Sequence, residues 1–247
     1  MLMSVIEEAQ SAPAYPELAD KRVLISGITS ECGIDIARAF AEHKTRLVLQ
    51  FAEASERMQT IVEIAAASAA ETMAFGPIAG AADAVVRFAR QAVKVFAGLD
   101  VVVNLVPLAP IEFAAAMSMG AIDRLVADRL RCACIFSSVA ANRMSVMLTE
   151  GLVLNVAVLA EPARGRGQAL AALIKSAVAA MTRLEAEAWA GKAIRFNAIV
   201  PQTLPLGAEP VLRSEPDMAA LALYLASARG KNLSGLLFEA EAAHAVN

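Results

Sequence analysis

Seven short runs of strand-forming residues, with helical periodicity filling the intervals between them, constrain this chain more than any other feature. The runs are Arg22–Ser26, Arg46–Gln50, Thr72–Gly76, Asp100–Asn104, Leu152–Val156, Ile194–Val200 and Gly235–Glu239. Strands joined through helices pair in parallel, because a parallel connection needs a long crossover. The runs are almost continuously apolar, as strands are when helices cover both faces of a sheet. A doubly wound, Rossmann-like three-layer α/β fold with a seven-stranded parallel sheet follows. A chain of 247 residues, 57% hydrophobic and 19% charged, forms one core, so we expect a single domain over 21–247 preceded by an extension over 1–20.

Charge excludes some partners. A net charge of -3 and a pI near 5.5 leave no basic surplus for tracking phosphates, which argues against nucleic acid. The compact basic run Arg164-Gly165-Arg166 reads as a solvated turn. Mean hydropathy is high at +0.54, but the excess comes from alanine-rich helices interrupted by charges such as Arg183, Glu185 and Glu187. No run of about 18 uninterrupted apolar residues offers a membrane span. The N-terminal stretch carries acids where a signal peptide needs a basic start, so a cytoplasmic location is expected. Cys32, Cys132 and Cys134 lack metal-ligand spacing, and His43 and His244 lie elsewhere, so no metal is expected and the thiols read as reduced and structural.

In a doubly wound fold, ligands bind beyond the carboxyl ends of the strands, so the turns there decide function. The first turn reads Ser26-Gly-Ile-Thr-Ser-Glu-Cys-Gly33 and opens a helix over Ile34–His43. Gly27 and Gly33 suit a tight strand-to-helix turn, whose helix N-terminus could hold a pyrophosphate. They would serve equally in a turn that binds nothing.

With the motifs downstream, the chain resembles the short-chain dehydrogenase/reductase superfamily from about Lys21 to Ala243. The family's TGxxxGxG falls on Ser26, Gly27, Glu31 and Gly33, with glutamate at the middle glycine. Its NNAG falls on Asn104, Leu105, Val106 and Pro107, and its VNISS on Leu154-Asn-Val-Ala-Val158. The helix bearing the catalytic asparagine corresponds to Ala121–Met144, placing Arg129, or Asp128, at that position. YxxxK becomes Ala171 and Lys175, and VNxxxPG becomes Phe196-Asn-Ala-Ile-Val-Pro-Gln202. Leu221–Ser227 and Leu233-Ser-Gly235 match the closing helix and strand. Ser137-Ser138 imitates the serine pair, but only Val158 keeps the serine-to-tyrosine interval without gaps; the two serines fall inside a helix, where small hydroxyl residues allow close packing.

The resemblance implies roles that these side chains cannot fill. In the family, tyrosine is the general acid, lysine lowers its pKa and holds the nicotinamide ribose, serine orients the carbonyl, and asparagine anchors a water relay. Valine at 158 and alanine at 171 offer neither proton nor hydrogen bond. The chain's two tyrosines are Tyr15, in the extension, and Tyr224, in the closing helix. Lys175 is left as a vestige that bonds carbonyls or reaches water, or as an amine or base in its own right.

The cofactor motif departs as well. Glu31 sets a carboxylate against pyrophosphate, and Phe51-Ala52 replaces the acid or arginine that selects NAD or NADP. The adenine-contacting aspartate falls near Ile78 or Ala79, Pro107 replaces a glycine, and the region after Thr203 is too short for the family's lid. We therefore expect no bound cofactor, with Gly27, Gly33 and Asn104 the contacts if NAD(P) binds at all. The long helices 121–144 and 167–190, through which the family builds dimers and tetramers, are well formed, and Leu170, Leu173, Ile174, Ala177, Val178 and Met181 make an apolar stripe. The expected role is a catalytically silent subunit pairing with itself or with an active homologue, as in two-subunit hydroxyacyl-CoA dehydrogenases of the benzylsuccinate type. The alternatives are an NAD(P)-dependent oxidoreductase with a rearranged site and a small-ligand-binding protein using the vacated cleft.

Overall fold

All seven strands form, and all pair in parallel. A computed structural model of the chain describes residues 14–29, 32–79, 82–107, 118–158, 166–201 and 215–240. The strands are β1 (Arg22–Ile28), β2 (Arg46–Phe51), β3 (Glu71–Phe75), β4 (Val101–Pro107), β5 (Gly151–Val158), β6 (Ile194–Pro201) and β7 (Leu237–Ala240). Between them run α1 (Ile34–Glu42), α2 (Arg57–Ala66), α3 (Ala82–Val95), α4 (Met119–Val146), α5 (Arg166–Trp189) and α6 (Glu215–Ala226). The sheet order β3-β2-β1-β4-β5-β6-β7 reverses between β1 and β4, which makes the carboxyl ends of those two strands the topological switch point.

Each face of the sheet has its own core. Side chains from α1, α2 and α6 pack with Val23, Ile25, Val103, Leu154 and Ile199 on one side. On the other, Leu24, Val102, Val153 and Phe196 meet α3 and α4, while Val106, Ala157 and Val200 meet Ile174 and Val178 of α5. This alternation is the period of two that a strand buried on both faces must show. At the amino ends of the strands, Arg22 ties β1 to the residue before β4: its backbone N–H and Nε donate to Asp100 Oδ2 at 2.8 and 2.9 Å, and Nη2 donates to Oδ1 at 2.7 Å.

Packing begins before Lys21. Leu18, in a 3₁₀ turn over Pro16–Leu18, is buried in the α1-side core, and Tyr15 stacks on His43 with ring centroids 5.8 Å apart. A single leucine among acids and prolines gives little warning of this. The thiols also divide: Cys32 is buried, whereas Cys132 and Cys134 are exposed on α4 and so are not core residues. Crowding around both sulfurs, with the Glu185 charge adding to it at Cys134, holds those thiols above the ordinary range and away from reactive thiolate.

Candidate functional site

At the level of Ser26 a polar row crosses the sheet. The register aligns Ser26 with Asn104 and Asn104 with Asn155. Ser26 Oγ donates to Asn104 Oδ1 at 3.0 Å, and Asn104 Nδ2 donates to Asn155 Oδ1 at 3.0 Å and to Ser137 Oγ at 3.1 Å. All four residues are buried. Asn104, a candidate cofactor contact, thus spends both ends of its amide inside the protein. Ser137 does more than permit close packing: it comes down from α4 onto that amide, a role set by the seating of α4 on β4 and invisible in the linear sequence.

The two glycines have packing reasons of their own. Gly27 has φ +82°, and a Cβ there would stand 2.6 Å from the Leu105 carbonyl oxygen. Gly33, with φ +93°, caps α1, and a Cβ there would stand 2.5 Å from Leu105 Cδ1. Both conformations disfavour any residue with a side chain. The Gly27 N–H donates to Gln50 Oε1 at 2.9 Å, and the Gln50 amide in turn donates to the Phe51 carbonyl. Phe51 is buried at the carboxyl end of β2, in the core that also holds Ile28, Cys32 and Ile61. Ile78, partly buried, packs on the α3-side core. Glu31 lies outside the described residues, as do the segments 108–117, 159–165 and 202–214.

Three residues beyond Asn104 and Asn155 the strands end in the pair Pro107 and Val158. Val158 is partly buried against the α1/α6-side core. Lys175 rises on the opposite face, from α5, one helical turn after Ala171, and is buried. Its Nζ lies 3.0 Å from Glu239 Oε1 of β7. The ammonium therefore does not simply bond carbonyls or reach water; it meets a carboxylate 64 positions along the chain, which no local spacing suggests. The signal available in the sequence was one acid closing the apolar run Leu236-Leu-Phe238.

The remaining candidates stand apart. Arg129 is partly exposed on α4, and Asp128 pairs with Arg131 on the surface of that helix. Ser138 is exposed. Tyr15 belongs to the amino-end side of the sheet, where Arg229 lies 5.6 Å from its ring centroid, and Tyr224 sits on α6, with its carbonyl accepting from Ser227 Oγ. Neither is assembled with Lys175. Among the described residues no group of three or more His, Cys, Asp or Glu could hold a metal, and no helix is long and apolar enough to cross a membrane.

The architecture and the motif order have counterparts among known proteins. The family model described as enoyl-(acyl carrier protein) reductase matches residues 27–223. Galactitol 2-dehydrogenase (L-tagatose-forming) of Cereibacter sphaeroides is 27% identical over 243 residues, covering 90% of this chain and 94% of that one. A 3-oxoacyl-(acyl-carrier-protein) reductase of Staphylococcus aureus is 24% identical over 233 residues, covering 87% and 94%. Among solved structures, a short-chain type dehydrogenase/reductase from Mycobacterium marinum superposes with a TM-score of 0.75 at 20% identity, over 93% of this chain and 97% of that one. The short-chain dehydrogenase/reductase from Serratia marcescens gives 0.74 at 19% identity, over 90% and 97%. A seven-stranded parallel sheet, a glycine turn opening α1 at its switch point and a family match across most of the length have one explanation: this chain is an oxidoreductase-like member of the short-chain dehydrogenase/reductase superfamily.

Proposed function

We propose that the chain is a non-catalytic member of its superfamily, a subunit that pairs with an active homologue or with a second copy of itself. The observation that carries this reading is the state of Lys175, whose ammonium is held by Glu239 at 3.0 Å on a helix that bears alanine at 171, while β5 ends in Val158. Proton donation to a carbonyl needs an acidic group in hydrogen-bond reach; valine and alanine supply none, and the Lys175 ammonium is engaged by Glu239. The curated relatives are named as active enzymes, so silence here is a property of particular side chains within a preserved frame.

The nucleotide turn supports the same reading. The Gly27 amide is committed to Gln50, and a buried phenyl ring at Phe51 stands where a ribose would need a polar group. These residues do not fit NAD(P), and we assign no step to it. Pairing draws support from α5. The apolar stripe divides, with Ile174 and Val178 buried in the core and Leu173 left 47% exposed, and beyond the stripe Leu184 is 68% exposed. Leu173, Ala177, Ala180 and Leu184 are spaced 4, 3 and 4 apart, a pattern that reads the same in both directions along the helix. A two-fold contact between antiparallel copies of one face would set Leu173 against Leu184 and Ala177 against Ala180 of the second copy.

The test is an assay of hydride transfer by the purified chain with NADH and NADPH on a 3-oxoacyl thioester, and with NAD and NADP on galactitol, alongside sedimentation velocity. The reading expects no turnover above buffer and a sedimenting species larger than a monomer. Turnover that survives rigorous purification overturns it, as does a chain that stays monomeric and acquires no activity or stability on co-expression with an active homologue.

A further inference from the structure

We propose that Lys175 and Glu239 form a register pin that fixes the edge strand β7 to α5. The lysine then serves the sheet edge. The pin shares the Lys175–Glu239 contact with the proposed silence, but it is tested by strand stability and exchange, not by turnover, so the two can fail separately.

Strand β7 needs such a device. It is four residues long and among the described residues has one neighbour, β6, with Ala198, Ile199, Val200 and Pro201 opposite Leu237, Phe238, Glu239 and Ala240. Register in a strand is normally specified by alternation of apolar and polar residues, because a slip of one position exchanges the two faces. Here Leu236, Leu237 and Phe238 are apolar at consecutive positions, so a slipped strand would still present an apolar side chain to each core. In the observed register, Leu237 packs toward the α5-side core and Phe238 toward the α1/α6-side core. Glu239 then falls on the α5 side, where it meets Lys175; displaced by one residue, it would point to the other face.

The beginning of the strand is secured separately. Asn197 Nδ2 donates to the Leu233 carbonyl at 2.8 Å, and Asn197 Oδ1 accepts from the Leu236 N–H at 3.1 Å. The Gly235 N–H donates to the Phe196 carbonyl at 2.7 Å and the Ala198 N–H to the Leu236 carbonyl at 3.0 Å. These bonds hold the entry to β7, and the ion pair holds its far end. The pair is asymmetric in exposure, with the Lys175 side chain 11% exposed and that of Glu239 47%. Removing the acid strips a counter-charge from a buried cation, whereas removing the lysine returns a half-solvated carboxylate to water. Stability should therefore respond more to loss of Glu239 than to loss of Lys175.

The experiment uses the full chain and the variants Glu239→Leu, Lys175→Met and the double variant, followed by thermal melting and by amide hydrogen exchange in β6 and β7. Glu239→Leu is expected to lower Tm by roughly 2–8 °C and Lys175→Met by less. The double variant should recover at least about half of the larger loss, because an apolar pair in place of an ion pair is often neutral. Exchange at Phe238–Ala240 should accelerate about tenfold in Glu239→Leu while β1 and β4 stay protected. Additive losses in the double variant, or unchanged Tm and exchange throughout, overturn the proposal. Should Glu239→Leu fail to fold, pulse acylation of the wild type and Glu239→Gln decides. Lys175 labelled about tenfold more slowly than Lys192 and Lys231, with the protection lost in Glu239→Gln, supports the pin; equal labelling of all three in the wild type, or unchanged protection in Glu239→Gln, overturns it.

Discussion

The row Ser26–Asn104–Asn155 and the strand ends at Pro107 and Val158 lie about 10 Å apart along the same strands, yet they differ in what their side chains bond. In the row, every side chain is polar, buried and joined to its neighbour across the sheet or to Ser137 above it. At the strand ends, a superfamily frame carries valine and, one helical turn before Lys175, alanine. The difference teaches that the polar groups here belong with the architecture. A side chain whose hydrogen bonds hold two strands and a helix together cannot be exchanged without cost to folding. One that faces only a reactant can.

Substitutions in the lower region test the first half of that statement. The largest effect is expected from Gly27→Ala, which puts a Cβ 2.6 Å from the Leu105 carbonyl at φ +82°. Left-handed strain and overpacking together predict a loss of about 3–5 kcal/mol, read from chemical denaturation. Asn104→Leu comes next: it leaves Ser26, Ser137 and Asn155 without their shared partner and should cost about 2–4 kcal/mol in the same measurement. If Gly27→Ala is as stable as the wild type, the close approach to Leu105 does not constrain the turn; if Asn104→Leu is, the row does not hold the frame.

The base of the sheet gives a pH-dependent test. Burial disfavours a charged Asp100, but the bonds from the Arg22 side chain and backbone, with the charge of that guanidinium, outweigh it and hold the carboxyl below its usual range. A depressed carboxylate contributes stability that is present above its unfolded pKa, near about 3.9, and is lost as pH falls through the lower folded value. Melting curves should show Tm falling more steeply below about pH 4 in the wild type than in Asp100→Asn. Parallel curves would contradict the assignment.

The smallest folding effect belongs to the exposed face of α5. Leu184→Glu replaces a leucine that is 68% exposed, so the stability of the monomer should change by less than about 0.5 kcal/mol. Sedimentation should nonetheless show association weakened or lost. Unchanged association would place the contact elsewhere.

The fold was legible because its signals are local and redundant. Val101-Val-Val and Leu152-Val-Leu could be little else than buried strands, and Gly27 and Gly33 punctuate the first turn where φ must be positive. The starts of β1, β2 and β6 stand as read and no strand limit moved by more than three residues; the start of β7 shifted from Gly235 to Leu237 because Gly235, at φ +76°, is the turn that feeds the strand. What could not be read were the partnerships formed across the fold. Ser137 reaching Asn104 depends on how α4 seats on the sheet, and Lys175 meeting Glu239 depends on β7 lying beside β6. The docking of Leu18 likewise depends on a core assembled from distant segments.

Isothermal titration of NADH and NADPH into the purified chain tests most directly whether the carboxyl ends of the strands have lost their chemistry. The account predicts no saturable heat up to about 1 mM of either nucleotide, a limit equivalent to less than about 4 kcal/mol of binding. A saturable isotherm in the micromolar range, competed by the oxidised nucleotide, would contradict it.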